Sequence, residues 1–189
     1  MKVGLYFGSF NPIHIGHLII GEFIANNTDC NQVWLVVSPQ NPLKPSSVLL
    51  NEYQRLHLAN LAIEGNSKLR VSDIEFKLPK PSYTIDTLTY LKEKYPTTTF
   101  VLILGSDSFQ NLKRWKNYQS LLEGYEFLIY ERPGYEVVDT YGANVTILKA
   151  PLLQISSTEI RKLIKEGKSI RYLVTDKVRV EIENASYYK

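Results

Sequence analysis

The chain has 189 residues and a formal net charge of +3, with 44% hydrophobic and 22% charged residues. Those proportions suit one folded domain, or one domain plus a small lobe, and exclude a disordered chain. The lone cysteine, Cys30, excludes an internal disulfide framework and a cysteine zinc cluster. The mild, scattered positive charge suits an anionic small molecule better than a nucleic acid.

Val3-Gly4-Leu5-Tyr6-Phe7 reads as a buried strand. Gly8, Asn11, Pro12 and His14 break the stretch that follows, so the N-terminus is neither a signal segment nor a spanning helix. No run of about 18 apolar residues occurs elsewhere. A cytoplasmic protein is expected, with no membrane or nucleic-acid partner. His17–Ile24 has helical spacing, Gln32–Ser38 is a second strand, and Glu52–Ile63 is helical with Gly65 and Asn66 as stop signals. Pro39–Ser47 is the most loop-like segment. Leu69–Ser72 is a short strand and Ile85–Lys94 a helix closed by Pro96. Thr99–Leu104, Glu126–Tyr130 and Val145–Leu148 are further strands, and Thr158–Lys165 and Asp176–Ala185 the last helices.

Strands alternating with helices predict an α/β fold, a parallel sheet covered on both faces with right-handed crossovers. In such sheets ligands sit beyond the carboxyl ends of the strands, where strand order reverses. Gly8-Ser9-Phe10, Ser38-Pro39, Gly105-Ser106-Asp107 and Arg132 follow strands and are expected to converge there.

Gly8–His17 reads GSFNPIHIGH. Gly8 and Ser9 permit close backbone approach, and Gly16 leaves room for a flat group against the backbone. His14 and His17, three residues apart, share one face of a helical turn. Free amides and positive potential at a helix start favour phosphate, and two imidazoles add donors. Zinc would need a third ligand, and only His57 remains among the histidines. A second segment, Ile155-Ser156-Ser157-Thr158-Glu159-Ile160-Arg161, opens a helix with a Ser-x-x-Glu capping pattern. Its hydroxyls and the forked cation of Arg161 also suit a phosphate site.

His14-Ile15-Gly16-His17 resembles the (T/H)xGH signature of the nucleotidylyltransferase superfamily, and Ile155–Arg161 resembles its second nucleotide-binding motif. Class I aminoacyl-tRNA synthetases share the first signature but are much longer, and their KMSKS motif is absent here. Three further segments resemble the nicotinate-nucleotide adenylyltransferase family. They are Ser82-Tyr83-Thr84-Ile85-Asp86-Thr87, Gly105-Ser106-Asp107 followed by Trp115, and Pro39-x-x-Pro42-Leu43-Lys44. Leu43 stands where that family often has histidine.

The resemblance implies a single Rossmann-like, doubly wound nucleotidylyltransferase domain over residues 1–189, with helices from about residue 156 completing an ATP site. It implies His14, His17 and Arg161 as catalytic residues. It implies ATP contacts from Gly8, Ser9, Phe10, Gly16, Gly105, Asp107, Ile155, Ser156, Ser157 and Thr158. The mononucleotide would meet Lys44, Tyr83, Thr84, Ile85, Trp115, Lys116 and Arg132. The implied reaction joins nicotinate mononucleotide and ATP to give deamido-NAD and pyrophosphate. Mg²⁺ would be held by the ATP phosphates, with no protein metal ligands, and a homo-oligomer is possible. The alternatives are another acceptor, nicotinamide mononucleotide or phosphopantetheine, or a non-catalytic nucleotide-binding module.

Overall fold

The computed structural model describes residues 1–40 and 49–189. Six parallel strands form one sheet: β1 (Lys2–Gly8), β2 (Gln32–Val37), β3 (Leu69–Ser72), β4 (Thr99–Gly105), β5 (Glu126–Tyr130) and β6 (Asn144–Leu148). Their order is β3-β2-β1-β4-β5-β6, so the chain runs outward from β1 in one direction and then resumes at β4 on its other side. Gly8 pairs with Val37 and Tyr6 with Ile103, which places the carboxyl ends of β1, β2 and β4 together. The parallel sheet expected from the alternating pattern is present, and it is doubly wound as the resemblance implies, with its reversal between β1 and β4.

Alternating side chains build two cores. Tyr6, Val33, Leu35, Val101, Ile103 and Leu128 face one layer. Into it pack α1 (Ile15–Asn27), α2 (Glu52–Ala62), α6 (Ser157–Lys165) and α7 (Asp176–Asn184). Leu5, Trp34, Leu102, Leu104 and Phe127 face the other layer. It holds α3 (Thr84–Lys94), α4 (Ser106–Gln110) and α5 (Tyr118–Gly124). A central strand apolar on both faces therefore reads as a continuous run, as in Thr99–Leu104.

α1 begins at Ile15, two residues before the expected start, because His14 takes the N-cap position. The structure adds α4, α5 and the 3₁₀ turns at Ile74–Lys77 and Leu112–Arg114, none of which the apolar spacing announces. Each is under eight residues long, too short to display a helical period. The tyrosine-rich end also folds back: Tyr187 and Tyr188 pack against the first core.

Candidate active site

The turn after β1 is shaped by its own side chains. Phe10 adopts φ 44°, a left-handed conformation costly for a bulky residue. Its buried ring stands edge-on to Tyr6 and His17, at 5.9 and 5.0 Å between centroids. A Cβ on Gly8 would lie 2.8 Å from that ring, so glycine there is a packing requirement. The glycine at 16 has a related cause. A Cβ would come within 3.1 Å of the Nδ1 of His14, so the space over Gly16 is filled by His14 itself.

His14 and His17 are brought face to face at the start of α1. The backbone N–H of His14 donates to His17 Nδ1 at 3.2 Å, which leaves the ring proton on Nε2. His14 is only 6% exposed. Burial, with the Arg132 charge as a second cause, lowers its pKa to about 4. It is therefore neutral at pH 7.

The late motif docks onto this turn. Ser156 caps α6 by accepting from the Glu159 N–H at 3.1 Å. Ser157 Oγ donates to the Pro12 carbonyl at 2.9 Å, and Arg161 Nη1 donates to the Asn11 carbonyl at 2.8 Å. Arg161 Nη2 also reaches Thr158 Oγ1 at 3.3 Å. The two segments thus form one cleft of about 410 Å³. Gly8, Ser9, Phe10, His17, Asp107, Arg132, Ser157, Thr158 and Arg161 line it, all of them expected. His14, Gly16, Gly105, Ile155 and Ser156 are not among its lining residues. His14, Gly16 and Gly105 are buried, Ile155 packs on the first core, and Ser156 acts as a cap.

Asp107 and Arg132 meet across the mouth of this cleft, with Nε 3.4 Å from Oδ1. The Arg132 backbone N–H donates to Ser106 Oγ at 2.8 Å, and its Nη2 to the Tyr130 hydroxyl at 3.4 Å. That hydroxyl lies 3.3 Å from the Tyr6 hydroxyl. Tyr6, Asn11 and Tyr130 were not expected at the site. Their positions within or just after β1 and β5 were the available signal.

The remaining expected residues form a second group. Tyr83 is the N-cap of α3, with no side-chain cap, and Thr84 and Ile85 begin its first turn. Their amides have no intrahelical acceptor. Lys116 Nζ bonds both oxygens of Asp86, at 3.1 and 2.8 Å, and lies 4.9 Å over the Tyr83 ring. Half-buried Trp115 and Ile85 pack on the same core. Lys44 lies outside the described residues. Among the described residues no three His, Cys, Asp or Glu side chains gather as a metal site, and no helix is long and apolar enough to cross a membrane.

A cytidylyltransferase-like family model matches residues 5–163. Probable nicotinate-nucleotide adenylyltransferases of Flavobacterium psychrophilum and Cytophaga hutchinsonii are 50% and 51% identical. Both matches span this whole chain, with 100% and 98% of the relatives. Among solved structures, Plasmodium falciparum nicotinic acid mononucleotide adenylyltransferase complexed with NaAD aligns with a TM-score of 0.84 at 24% identity. That alignment covers 99% of this chain and 97% of the other, and it bears on the fold.

Proposed function

The chain belongs to the cytidylyltransferase-like family and, within it, to the nicotinate-nucleotide adenylyltransferases, and from that membership we infer that it joins nicotinate mononucleotide to ATP. The products are deamido-NAD and pyrophosphate, a step of NAD biosynthesis. The observation that carries this reading is the docking of Arg161 and Ser157 onto the Asn11–Pro12 carbonyls beside His17.

A phosphate oxygen of the mononucleotide attacks the α-phosphorus of ATP in line. The bond from that phosphorus to the bridging oxygen breaks, and the oxygen leaves with pyrophosphate. The attacking oxygen is already anionic, so no general base is needed. Catalysis then rests on position and charge. His17 donates to the α-phosphoryl group through Nε2. The amides and hydroxyls of Ser157 and Thr158, with Arg161, hold the β and γ phosphates at the start of α6. Neutral His14 supports His17 by stacking. Arg132 holds the mononucleotide phosphate, and the α3 amides at Thr84 and Ile85 take the nicotinate carboxylate with Trp115 against the pyridine ring. Mg²⁺ enters on the triphosphate as part of the substrate, in keeping with a cleft whose acidic lining side chain, Asp107, is engaged by Arg132. The compartment this reading carries is the cytoplasm.

The test is pyrophosphate release from ATP with three acceptors: the acid mononucleotide, the amide mononucleotide and phosphopantetheine. The acid mononucleotide should give the highest kcat/KM. Equal values for acid and amide would remove the acid selectivity. Release only with phosphopantetheine would replace the acceptor altogether.

A further inference from the structure

Arg55 is 0% exposed, yet its guanidinium meets no carboxylate among the described residues. It reaches from α2 to the carboxyl ends of β1 and β2 and donates to four carbonyls. Nε bonds Leu50 at 2.8 Å, Nη1 bonds Ser9 at 2.6 Å and Ser38 at 2.8 Å, and Nη2 bonds Pro39 at 3.0 Å. On the other side of β2, Glu75 is 2% exposed. Its carboxylate accepts from Ser82 Oγ and Thr87 Oγ1, both at 2.8 Å, and the Ser38 side chain stands beside it. Ser38 therefore offers its carbonyl to Arg55 and sets its side chain next to Glu75.

Two buried ionisable groups are costly to desolvate, so stability alone does not account for their placement. What the arrangement does supply is continuity. It runs from Ser9 in the nucleotide turn, through Arg55, Ser38 and Glu75, to Ser82 and Thr87 flanking the start of α3. Those are the two ends of the reaction as read above, and the inference rests on that reading. We propose that Arg55 and Glu75 are positioning residues, forming a buried relay bridged by Ser38 that holds the ATP turn and the acceptor helix in mutual register. A fork is needed for the four carbonyls, so lysine cannot replace Arg55.

The experiment uses the full chain with Arg55→Lys, Glu75→Gln, the double variant, and Leu58→Val as a control for core damage in the same helix. ATP binding is read by calorimetry and both KM values by pyrophosphate release. Arg55→Lys should weaken ATP binding by about tenfold, the scale of charged hydrogen bonds lost. Glu75→Gln should raise KM for the mononucleotide, and it should also weaken ATP binding, measured without mononucleotide, by about twofold or more. The double variant should fall short of the product of the two effects. Unchanged ATP binding in Glu75→Gln, or a shift in Leu58→Val equal to that of the relay variants, would overturn the proposal. Should the relay variants not fold, amide exchange in the wild type decides. ATP alone should then protect residues 82–87 as well as the turn after β1, and protection of the turn alone overturns the relay. A wild type that binds ATP but releases no pyrophosphate would sink the functional reading, and the ATP titrations would still judge the relay.

Discussion

The imidazole rings of His14 and His17 stack with centroids 3.6 Å apart and planes inclined by 23°. The inner ring is buried and neutral, and the outer ring lines the cleft. On the proposed reading the pair divides its work: His14 fixes where His17 points, and His17 is the ring that faces the nucleotide.

Removing the outer ring should therefore strike the chemical step. His17→Ala should lower kcat by about 10²–10³, the usual consequence of losing one donor to developing charge. KM for ATP should change far less, since Arg161 and the start of α6 keep their hold. Steady-state pyrophosphate release checks this, and a kcat near that of the wild type rejects the role.

The inner ring should show itself in stability. Its pKa falls from 6.5 to about 4 on folding, so the unfolded chain binds the proton more readily. The resulting stabilisation is full above pH 6.5 and is lost as pH falls toward 4. It amounts to about 3 kcal/mol at most. Urea unfolding at pH 7 and pH 5 should show a steeper loss for the wild type than for His14→Asn. Parallel losses would remove the buried neutral ring as the cause.

Much of this was visible in the sequence, because strands buried on both faces leave uninterrupted apolar runs. The two segments that come together at the cleft also carry their polar groups in nearly consecutive residues. Arg55 was hidden for the opposite reason. In Glu52–Ile63 a lone arginine on an amphipathic helix looks solvent-facing, and three of its four carbonyl partners come from two distant stretches of chain, at Ser9 and at Ser38-Pro39. Glu75 was hidden likewise, since its hydroxyl partners are the side chains of Ser82 and Thr87, from the segment after it. Strand order was equally invisible, for pairing is a tertiary choice that leaves no local mark.

Gly105 has an ordinary φ of −73°, so space, not backbone freedom, makes it glycine. A Cβ there would stand 2.5 Å from Asp107 Oδ1, 3.0 Å from Arg132 Nε and 3.1 Å from Tyr130 Cζ. Gly105→Ala should push this ion pair aside, costing about 1 kcal/mol or more in stability. KM for the mononucleotide should rise more than KM for ATP. Thermal unfolding and the two KM values check it, and unchanged KM for both would free Arg132 from its assigned contact.

Arg161→Lys should not rescue function. A lysine keeps the charge but cannot bond the Asn11 carbonyl and Thr158 Oγ1 together while facing phosphate. Its kcat/KM for ATP should fall about as far as that of Arg161→Ala. Recovery to within about threefold of the wild type would show that charge alone suffices.

The bonds from Ser157 to Pro12 and from Arg161 to Asn11 join residues 145 and 150 positions apart. A ribosome that has made the first two-thirds of the chain has already delivered both histidines, the whole of β1 and the helix that follows it. The cleft itself is incomplete until the final stretch emerges and docks, since Ser157, Thr158 and Arg161 line it. The same late stretch also closes the first core through Ile160, Val178 and Ile182, so the site and that core are completed together.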